Sequence, residues 1–235
     1  IPDADYDTLV FRLEKLEGEY NLVSSDSPTQ RIGARPSNQF SQVKHEIPML
    51  SLDKVFDEEG LRNFDVRVKK RLDSDQIINY SCEPKVDGVA VSLLYNDGNL
   101  VRAATRGDGD SGEDITHNIK TLSGIPHKLK PAKIGSRFEI RGEVFLSKSN
   151  FEKLNRKAEH EGTKIFVNPR NTASGALRQL DSKITGKTPL QIFCYGVGIC
   201  EGVILPDKLS YIFDELEALG LPVNKERQIG AGIEN

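Results

Sequence analysis

The feature that most constrains the fold is a pair of β-prone runs joined by a short turn. "GVAVSLLY" (88–95) and "LVRAATR" (100–106) flank "NDGN", and an Asp-Gly pair between such runs is typical of a β-hairpin. Three further runs have strand character, namely "QIINYSC" (76–82), "RFEIRGEVFL" (137–146) and "LQIFCYGVG" (190–198). Because most of these strands follow one another without an intervening helix, we expect antiparallel sheet and an α+β architecture.

Four segments have the apolar spacing of amphipathic helices. The first, residues 1–20, has Asp3 as a candidate N-cap and Gly18 as a candidate stop. The others are residues 57–72, 149–162 and 206–220. Residues 21–48 are polar and rich in Ser, Pro and Gly, which predicts a linker or an extended connector.

Composition limits the class of protein. The chain has 235 residues, enough for one large domain or one domain with a small appendage. A net charge of −3 gives no global sign of nucleic-acid binding, so any such function depends on a local patch. No apolar run has membrane-spanning length, and no signal-peptide pattern opens the chain. Cys82, Cys194 and Cys200 are too widely spaced for a zinc site, and their odd number favours free thiols in a reducing compartment.

Lys85 lies in a short break between two strand-like runs, within "CEPKVDGVAV". An amine can act as a nucleophile only when it is unprotonated, and burial or nearby cations favour that form. Pro84 stiffens the break, while Asp87 and Gly88 allow a tight return into the next strand. The pattern alone leaves two interpretations open, a solvated turn lysine and a nucleophile that faces a ligand on the sheet.

The segment "TRGDGDSGEDIT" (105–116) follows the predicted hairpin. It cannot be a calcium loop of the D-x-D-x-D-G type, because Glu113 stands where the glycine is required. It could be a polar surface loop, or a loop in which Arg106 pairs with a phosphate or carboxylate while glycines let the backbone come close.

Three later motifs also have two interpretations each. Glu143 in "EIRGEVF" could form an exposed cross-strand ion pair or accept hydrogen bonds from a ribose. Arg170 and Arg178 in "NPRNTASGALRQLD" could be surface arginines or an anion-binding pair at a helix that starts near Thr172 or Ser174. Tyr195 in "FCYG" could be a core aromatic or a ring stacked on a purine.

Taken together and in order, these motifs resemble the adenylation domain of bacterial NAD-dependent DNA ligases. "CEPKVDGVAVSLLY", "TRGDG" with "GEDIT", "RGEVF", "NPRN", "LRQLD" and "YGVG" carry the resemblance, which covers essentially the whole chain. It implies an antiparallel-sheet nucleotidyltransferase domain (an ATP-grasp-like ligase adenylation domain) over residues 37–235, truncated at its C-terminus. Residues 1–36 would be a truncated helical piece that binds nicotinamide mononucleotide (NMN), followed by a connector.

The resemblance also implies a reaction. Lys85 looks like the lysine that attacks the α-phosphorus of NAD, releases NMN and keeps AMP, which then activates a nick in DNA for sealing during replication and repair. Asp87 would orient the lysine and a metal. The remaining implied roles are NMN binding by Asp3, Ala4, Asp5, Tyr6 and Asp7; the pocket wall by Ser51 and Leu52; adenine reading by Glu83; ribose and phosphate binding by Arg106 and Glu143; adenine stacking by Tyr195; and contacts with DNA phosphates or the transferring phosphate by Arg170 and Arg178.

By the same resemblance, the cofactors would be NAD, consumed as a substrate, and Mg²⁺, with Mn²⁺ as a substitute. The partner would be nicked duplex DNA in the bacterial cytoplasm, with no membrane and no obligate protein partner, so we expect a monomer. The chain begins at Ile1 and ends after the loop-like "GAGIEN". It lacks the family's upstream helix, its later "DG-x-V-x-K" strand, its OB-fold and its zinc module, so we expect a fragment that does not seal nicks by itself.

Rival functions remain open at this stage. An ATP-dependent DNA or RNA ligase, or a capping enzyme, would share the lysine motif, although "IPDADYD" argues for NMN binding. A catalytically silent module that binds nicked DNA would keep the fold without forming covalent AMP. A plain sugar-phosphate binding protein has no specific support in the sequence.

Overall fold

The computed structural model describes residues 3–22, 27, 29, 40–130 and 136–234. Its helices are α1 (Asp3–Tyr20), α2 (Glu58–Leu72), α3 (Thr116–Ile119), α4 (Lys148–His160), α5 (Pro169–Leu177), α6 (Ser182–Lys187) and α7 (Leu209–Ala218). Its strands are β1 (Gln42–Lys44), β2 (Asn79–Cys82), β3 (Val89–Asn96), β4 (Asn99–Thr105), β5 (Ser111–Glu113), β6 (Arg137–Phe145), β7 (Gln191–Glu201) and β8 (Gln228–Ala231).

A four-stranded antiparallel sheet in the order β4-β3-β6-β7 forms the centre of the fold. The α+β prediction is therefore confirmed, and so is the hairpin between β3 and β4. Asp97 and Gly98 both have positive φ, 45° and 77°, as an Asp-Gly turn between two strands requires. None of the described helices is long and apolar enough to cross a membrane.

One face of this sheet carries the hydrophobic core. Side chains alternate between the two faces of a strand, so every second residue of β3, β6 and β7 points into the core. Helices α5 and α7 cover this face with buried residues such as Leu177 and Phe213. The sheet contributes Val91, Leu93, Tyr95, Ile140, Val144, Ile192 and Cys194.

Two smaller sheets were not predicted. Strand β1 pairs with β5, and β2 pairs with β8, both antiparallel. The segment "GAGIEN" was expected to be a loop, but its first residues belong to β8, where the backbone bonds to β2 outweigh its glycine content. Residues 21–48 likewise include β1 within the expected connector.

Helix ends differ from two expectations. Gly18 does not end α1, which runs to Tyr20 before Asn21 adopts a left-handed φ of 51°. Helix α5 begins at Pro169, earlier than Thr172 or Ser174, because the Asn168 side chain caps it by accepting the backbone N–H of Asn171.

Candidate functional site

The face of the central sheet opposite the core lines a pocket of about 780 Å³. Its other walls come from residues 47–52, from the loop between β2 and β3, and from the polar side of α5. Lys85, Arg106, Glu143 and Tyr195 all contribute to the lining. The structure thus brings into one cavity residues that the sequence distributes over more than a hundred positions.

The strand register explains why these side chains meet. Ala90 faces Glu143 across β3 and β6, and Glu143 faces Phe193 across β6 and β7. The backbone N–H of Arg106 donates to the carbonyl of Ala90 at 2.9 Å, which continues the row just past the end of β4. Residues that face each other in an antiparallel sheet point to the same side, so the row presents a guanidinium, a carboxylate and a ring to the pocket.

Lys85 lies in the loop that leads from the small β2-β8 sheet to the central sheet, and its side chain is exposed at the pocket wall. Two neighbours fix the end of this loop. Gly88 approaches β6 so closely that a Cβ atom would lie 2.2 Å from the carbonyl oxygen of Val144, so no larger residue fits there. Asp87 accepts a hydrogen bond from Nη1 of Arg170 at 3.1 Å.

Glu143 is half-buried among positive charges. Burial raises the pKa of its carboxyl above the ordinary value, while the charges of Lys85, Arg170 and Arg106 oppose that rise. No hydrogen bond to its carboxylate is formed within the described residues, so the carboxylate is free to accept hydrogen bonds from a ligand.

Tyr195 and Glu83 also have shifted pKa values. Burial, with a smaller effect of the Glu143 charge, raises the pKa of the Tyr195 hydroxyl to about 12, so this residue stays neutral at physiological pH. The side chain of Glu83 is exposed overall, yet partial enclosure by the pocket wall raises its pKa, and the charge of Arg227 opposes this effect.

Residues 50–52 form an open apolar wall. Leu50 and Leu52 are 82% and 74% exposed although both are large and apolar, so a flat ring could cover them without displacing other side chains. Between them, Ser51 accepts a long hydrogen bond from Nη1 of Arg106 at 3.4 Å.

Arg178 is held by a residue that the sequence analysis used only to exclude a calcium loop. Its Nη2 donates to Oε1 of Glu113 at 2.6 Å, and its Nε lies 2.5 Å from Oε2 in an ion-pair contact without hydrogen-bond alignment. The Glu113 side chain is 4% exposed, so this pair is built into the pocket wall. Arg170 differs, since both it and its partner Asp87 are more than half exposed.

The sequence analysis missed one other residue of the pocket, Arg141. Arg141 lines it and bonds to the carbonyls of Ile47 and Pro48. The signal in the sequence was the alternation of β6, which places Glu139, Arg141 and Glu143 on one face.

The predicted NMN-binding residues lie in the first turns of α1, and the side chains of Asp3, Ala4, Asp5, Tyr6 and Asp7 lie outside the described part of the structure.

The predicted Mg²⁺ ion would need oxygen ligands from the pocket residues. The described residues include no group of three or more His, Cys, Asp or Glu side chains that could hold a metal ion. Asp87 and Glu143 do lie beside Lys85, and Mg²⁺ commonly binds one or two carboxylates together with substrate phosphates. The residues therefore fit a magnesium ion that arrives with a phosphate ligand, and they do not form a complete protein cage.

Comparison with protein families gives two matches that together span nearly the whole chain. Residues 37–235 match the model of the NAD-dependent DNA ligase adenylation domain. Residues 1–33 match the model of the DNA ligase-like N-terminal NAD⁺-binding domain.

Proposed function

Because the chain belongs to the family of NAD-dependent DNA ligases, we propose that Lys85 is the residue on which it accepts AMP. The adenylation domain of this family carries out nucleotidyl transfer through a lysine-AMP intermediate. The observation that carries the proposal is the position of Lys85, which lines the same pocket as Glu143 and Arg106 and whose charge acts on Glu143.

The proposed step is a displacement at phosphorus. The unprotonated amine of Lys85 attacks the α-phosphorus of NAD, a nitrogen–phosphorus bond forms, and the bond from that phosphorus to the oxygen of NMN breaks. NMN leaves with the bonding electrons, and the nitrogen loses a proton to solvent or to a nearby carboxylate. The attacking and leaving atoms must lie roughly in line, so both halves of NAD have to be held.

The adenosine half of NAD fits the side of the pocket that is formed by residues 50–52 and the central sheet. We assign the purine to the space between Tyr195 and the wall with Ser51 and Leu52, with Glu83 as an acceptor for its exocyclic amine. The half-buried carboxylate of Glu143 is free to accept hydrogen bonds from ribose hydroxyls.

The phosphates of NAD fit the positively charged side of the pocket. We assign phosphate oxygens to Arg106 and Arg170, because both guanidinium groups belong to residues that line the pocket and carry a positive charge. Arg178 would act with Glu113 as a fixed pair beside the phosphates. When bound, Mg²⁺ held by phosphate oxygens and by Asp87 or Glu143 would neutralise charge at the reacting phosphorus.

We assign the NMN half of NAD to Asp3, Ala4, Asp5, Tyr6 and Asp7, on the strength of the family match over residues 1–33. The acceptor of AMP is then the 5′-phosphate of nicked duplex DNA, with Arg170 and Arg178 on the side of the pocket where it would approach. This assignment suits a role in replication and repair.

The test is intact mass spectrometry of the chain after exposure to NAD and Mg²⁺, and separately to ATP and Mg²⁺. We expect one added AMP from NAD in the wild type and none in Lys85→Ala. Lys153→Ala, at an exposed position of α4, serves as the control and should be modified like the wild type.

The outcomes separate the alternatives. An adduct from ATP alone would place the chain with the ATP-dependent enzymes. An adduct that persists in Lys85→Ala would exclude Lys85 as the nucleophile. If calorimetry also found no binding of NAD or AMP in a chain that forms no adduct, the proposal would be overturned.

A further inference from the structure

The apolar wall of the pocket belongs to a segment without helix or strand structure, residues 46–52, which we call the wall segment. Its backbone is nevertheless attached to its surroundings on both sides. The N–H of His45 donates to the carbonyl of Asp110 at 2.8 Å, and the N–H of Met49 donates to the carbonyl of Gly109 at 2.9 Å. The carbonyls of Ile47 and Pro48 lie between these two points, and no strand residue in the described part of the chain donates a backbone hydrogen bond to them.

Arg141 bonds to these two carbonyls. Its Nη2 donates to the oxygen of Ile47 at 2.7 Å and its Nη1 to the oxygen of Pro48 at 3.1 Å. A planar guanidinium can reach two neighbouring acceptors at once, which a lysine ammonium cannot do with the same geometry. The Arg141 side chain is only 15% exposed, while the two carbonyls that it binds belong to exposed residues.

A buried carboxylate holds Arg141 in this orientation. Nε of Arg141 donates to Oε1 of Glu139 at 3.3 Å, and the Glu139 side chain is 5% exposed. Glu139 in turn occupies space that exists because residue 198 on β7 is glycine. A Cβ atom on Gly198 would lie 2.7 Å from the carboxyl carbon of Glu139.

We propose that Arg141 is a positioning residue for nucleotide binding, which fixes the backbone of the wall segment so that its apolar residues face the ligand. The inference rests on the proposed function, because it takes the ligand to be the adenosine part of NAD. A segment that is already ordered before binding does not have to be ordered at the expense of affinity. The series of contacts from Gly198 through Glu139 to Arg141 therefore contributes to nucleotide affinity, and none of these three residues has to contact the reacting atoms.

The experiment measures AMP binding by calorimetry in the wild type, Arg141→Met, Arg141→Lys and a control. The control is Arg62→Met, an arginine of α2 that pairs through its side chain with Glu58 and Glu234 at the surface and does not line the pocket. We expect the Kd for AMP to rise on the order of 10-fold in Arg141→Met, because two charge-assisted hydrogen bonds are lost. Arg141→Lys should recover part of the affinity, and Arg62→Met should stay within about twofold of the wild type.

Two additional measurements separate positioning from a loss of folding. A variant that is partly unfolded would show fewer binding sites per chain with an unchanged Kd, whereas a positioning defect raises the Kd at full stoichiometry. Hydrogen exchange provides a direct check, since the amide of Met49 should exchange faster in Arg141→Met and at the wild-type rate in Arg62→Met. Gly198→Ala should have the same effect in weaker form, because it displaces Glu139.

The failures are distinguishable. If the wild type binds no AMP, the proposed function itself is wrong. If the wild type binds AMP and Arg141→Met binds it equally well, the proposed function stands and the inference is overturned. Equal loss of affinity in Arg141→Met and Arg62→Met would also overturn it, because the effect would then follow from the loss of a positive charge and not from the wall segment.

Discussion

Arg170 at the start of α5 and Arg178 at its C-cap both line the pocket, yet the structure predicts that replacing them changes stability by very different amounts. Arg178→Met leaves the carboxylate of Glu113, which is 4% exposed, without its guanidinium. Removing one partner of a buried ion pair costs about 3–5 kcal/mol. Because the Arg178 side chain is 33% exposed and water can enter, we expect a loss of about 2–3 kcal/mol in the free energy of unfolding.

Arg170→Met should change the free energy of unfolding by less than about 0.5 kcal/mol, because the Arg170–Asp87 pair is 51% and 59% exposed and exposed pairs contribute little. The assay is urea unfolding followed by circular dichroism at neutral pH. With a slope of about 2–3 kcal/mol/M, the midpoint of Arg178→Met should fall by about 1 M. AMP transfer from NAD should slow in Arg170→Met, since its exposed guanidinium is available to phosphate.

A double variant tests the cause of the expected loss. Adding Glu113→Gln to Arg178→Met removes the buried charge while keeping the size of the side chain, so it should recover at least half of the lost stability. If the double variant is no more stable than Arg178→Met, or if the two arginine variants lose equal stability, then burial of the Glu113 charge does not explain the role of Arg178.

Three further predictions concern other parts of the fold. Burial raises the pKa of Glu143, so the protonated group favours the folded state below its ordinary pKa, and this stabilisation is lost as the pH rises through the raised pKa. Glu143→Gln should therefore increase the urea midpoint at pH 7.5 and leave it unchanged at pH 4. The same variant should bind AMP more weakly. Gly107→Ala should prevent the turn after β4 from forming, because the φ of Gly107 is 58° and the new Cβ would lie 1.9 Å from a carbonyl oxygen. Gly162 has a similar φ of 64° but lies in open space, so Gly162→Ala should lower the free energy of unfolding by only about 1 kcal/mol. Thermal unfolding of both variants would measure the difference. Tyr80→Phe removes a 2.6 Å hydrogen bond to the buried Asp65 and should lower the unfolding free energy by about 1–2 kcal/mol in urea.

The central sheet could be predicted from sequence because its signals are local. The Asp-Gly turn and the alternation of β3, β4 and β6 need only a few residues each, and the structure confirms those strands. The pairing of β2 with β8 could not be predicted in this way. Its four residue pairs join positions about 150 residues apart, and the sequence of β8 has little strand propensity of its own.

The residues that line the pocket could be identified from the sequence more easily than their burial and their ion pairing. Lys85, Arg106 and Glu143 were selected from separate motifs, and the structure brings them into one cavity. The difference between Arg170 and Arg178 could not be read from "NPRNTASGALRQLD", because it depends on Glu113, which is far away in the chain and next to Arg178 in space. A motif gives residue types and order, while burial and pairing decide which arginine remains available to a ligand.

The four residues "KVDG" show how a short motif depends on its surroundings. Position 88 requires glycine, because a side chain there would collide with the backbone of β6. This close approach fixes the point at which the chain enters β3. Asp87 then binds Arg170 at the start of α5, which ties the loop to the opposite wall of the pocket. Lys85 is only two residues further back, so its backbone has little freedom although its side chain is exposed. A long, flexible side chain on a restrained backbone can reach a phosphate at several positions, which suits the role proposed above for Lys85.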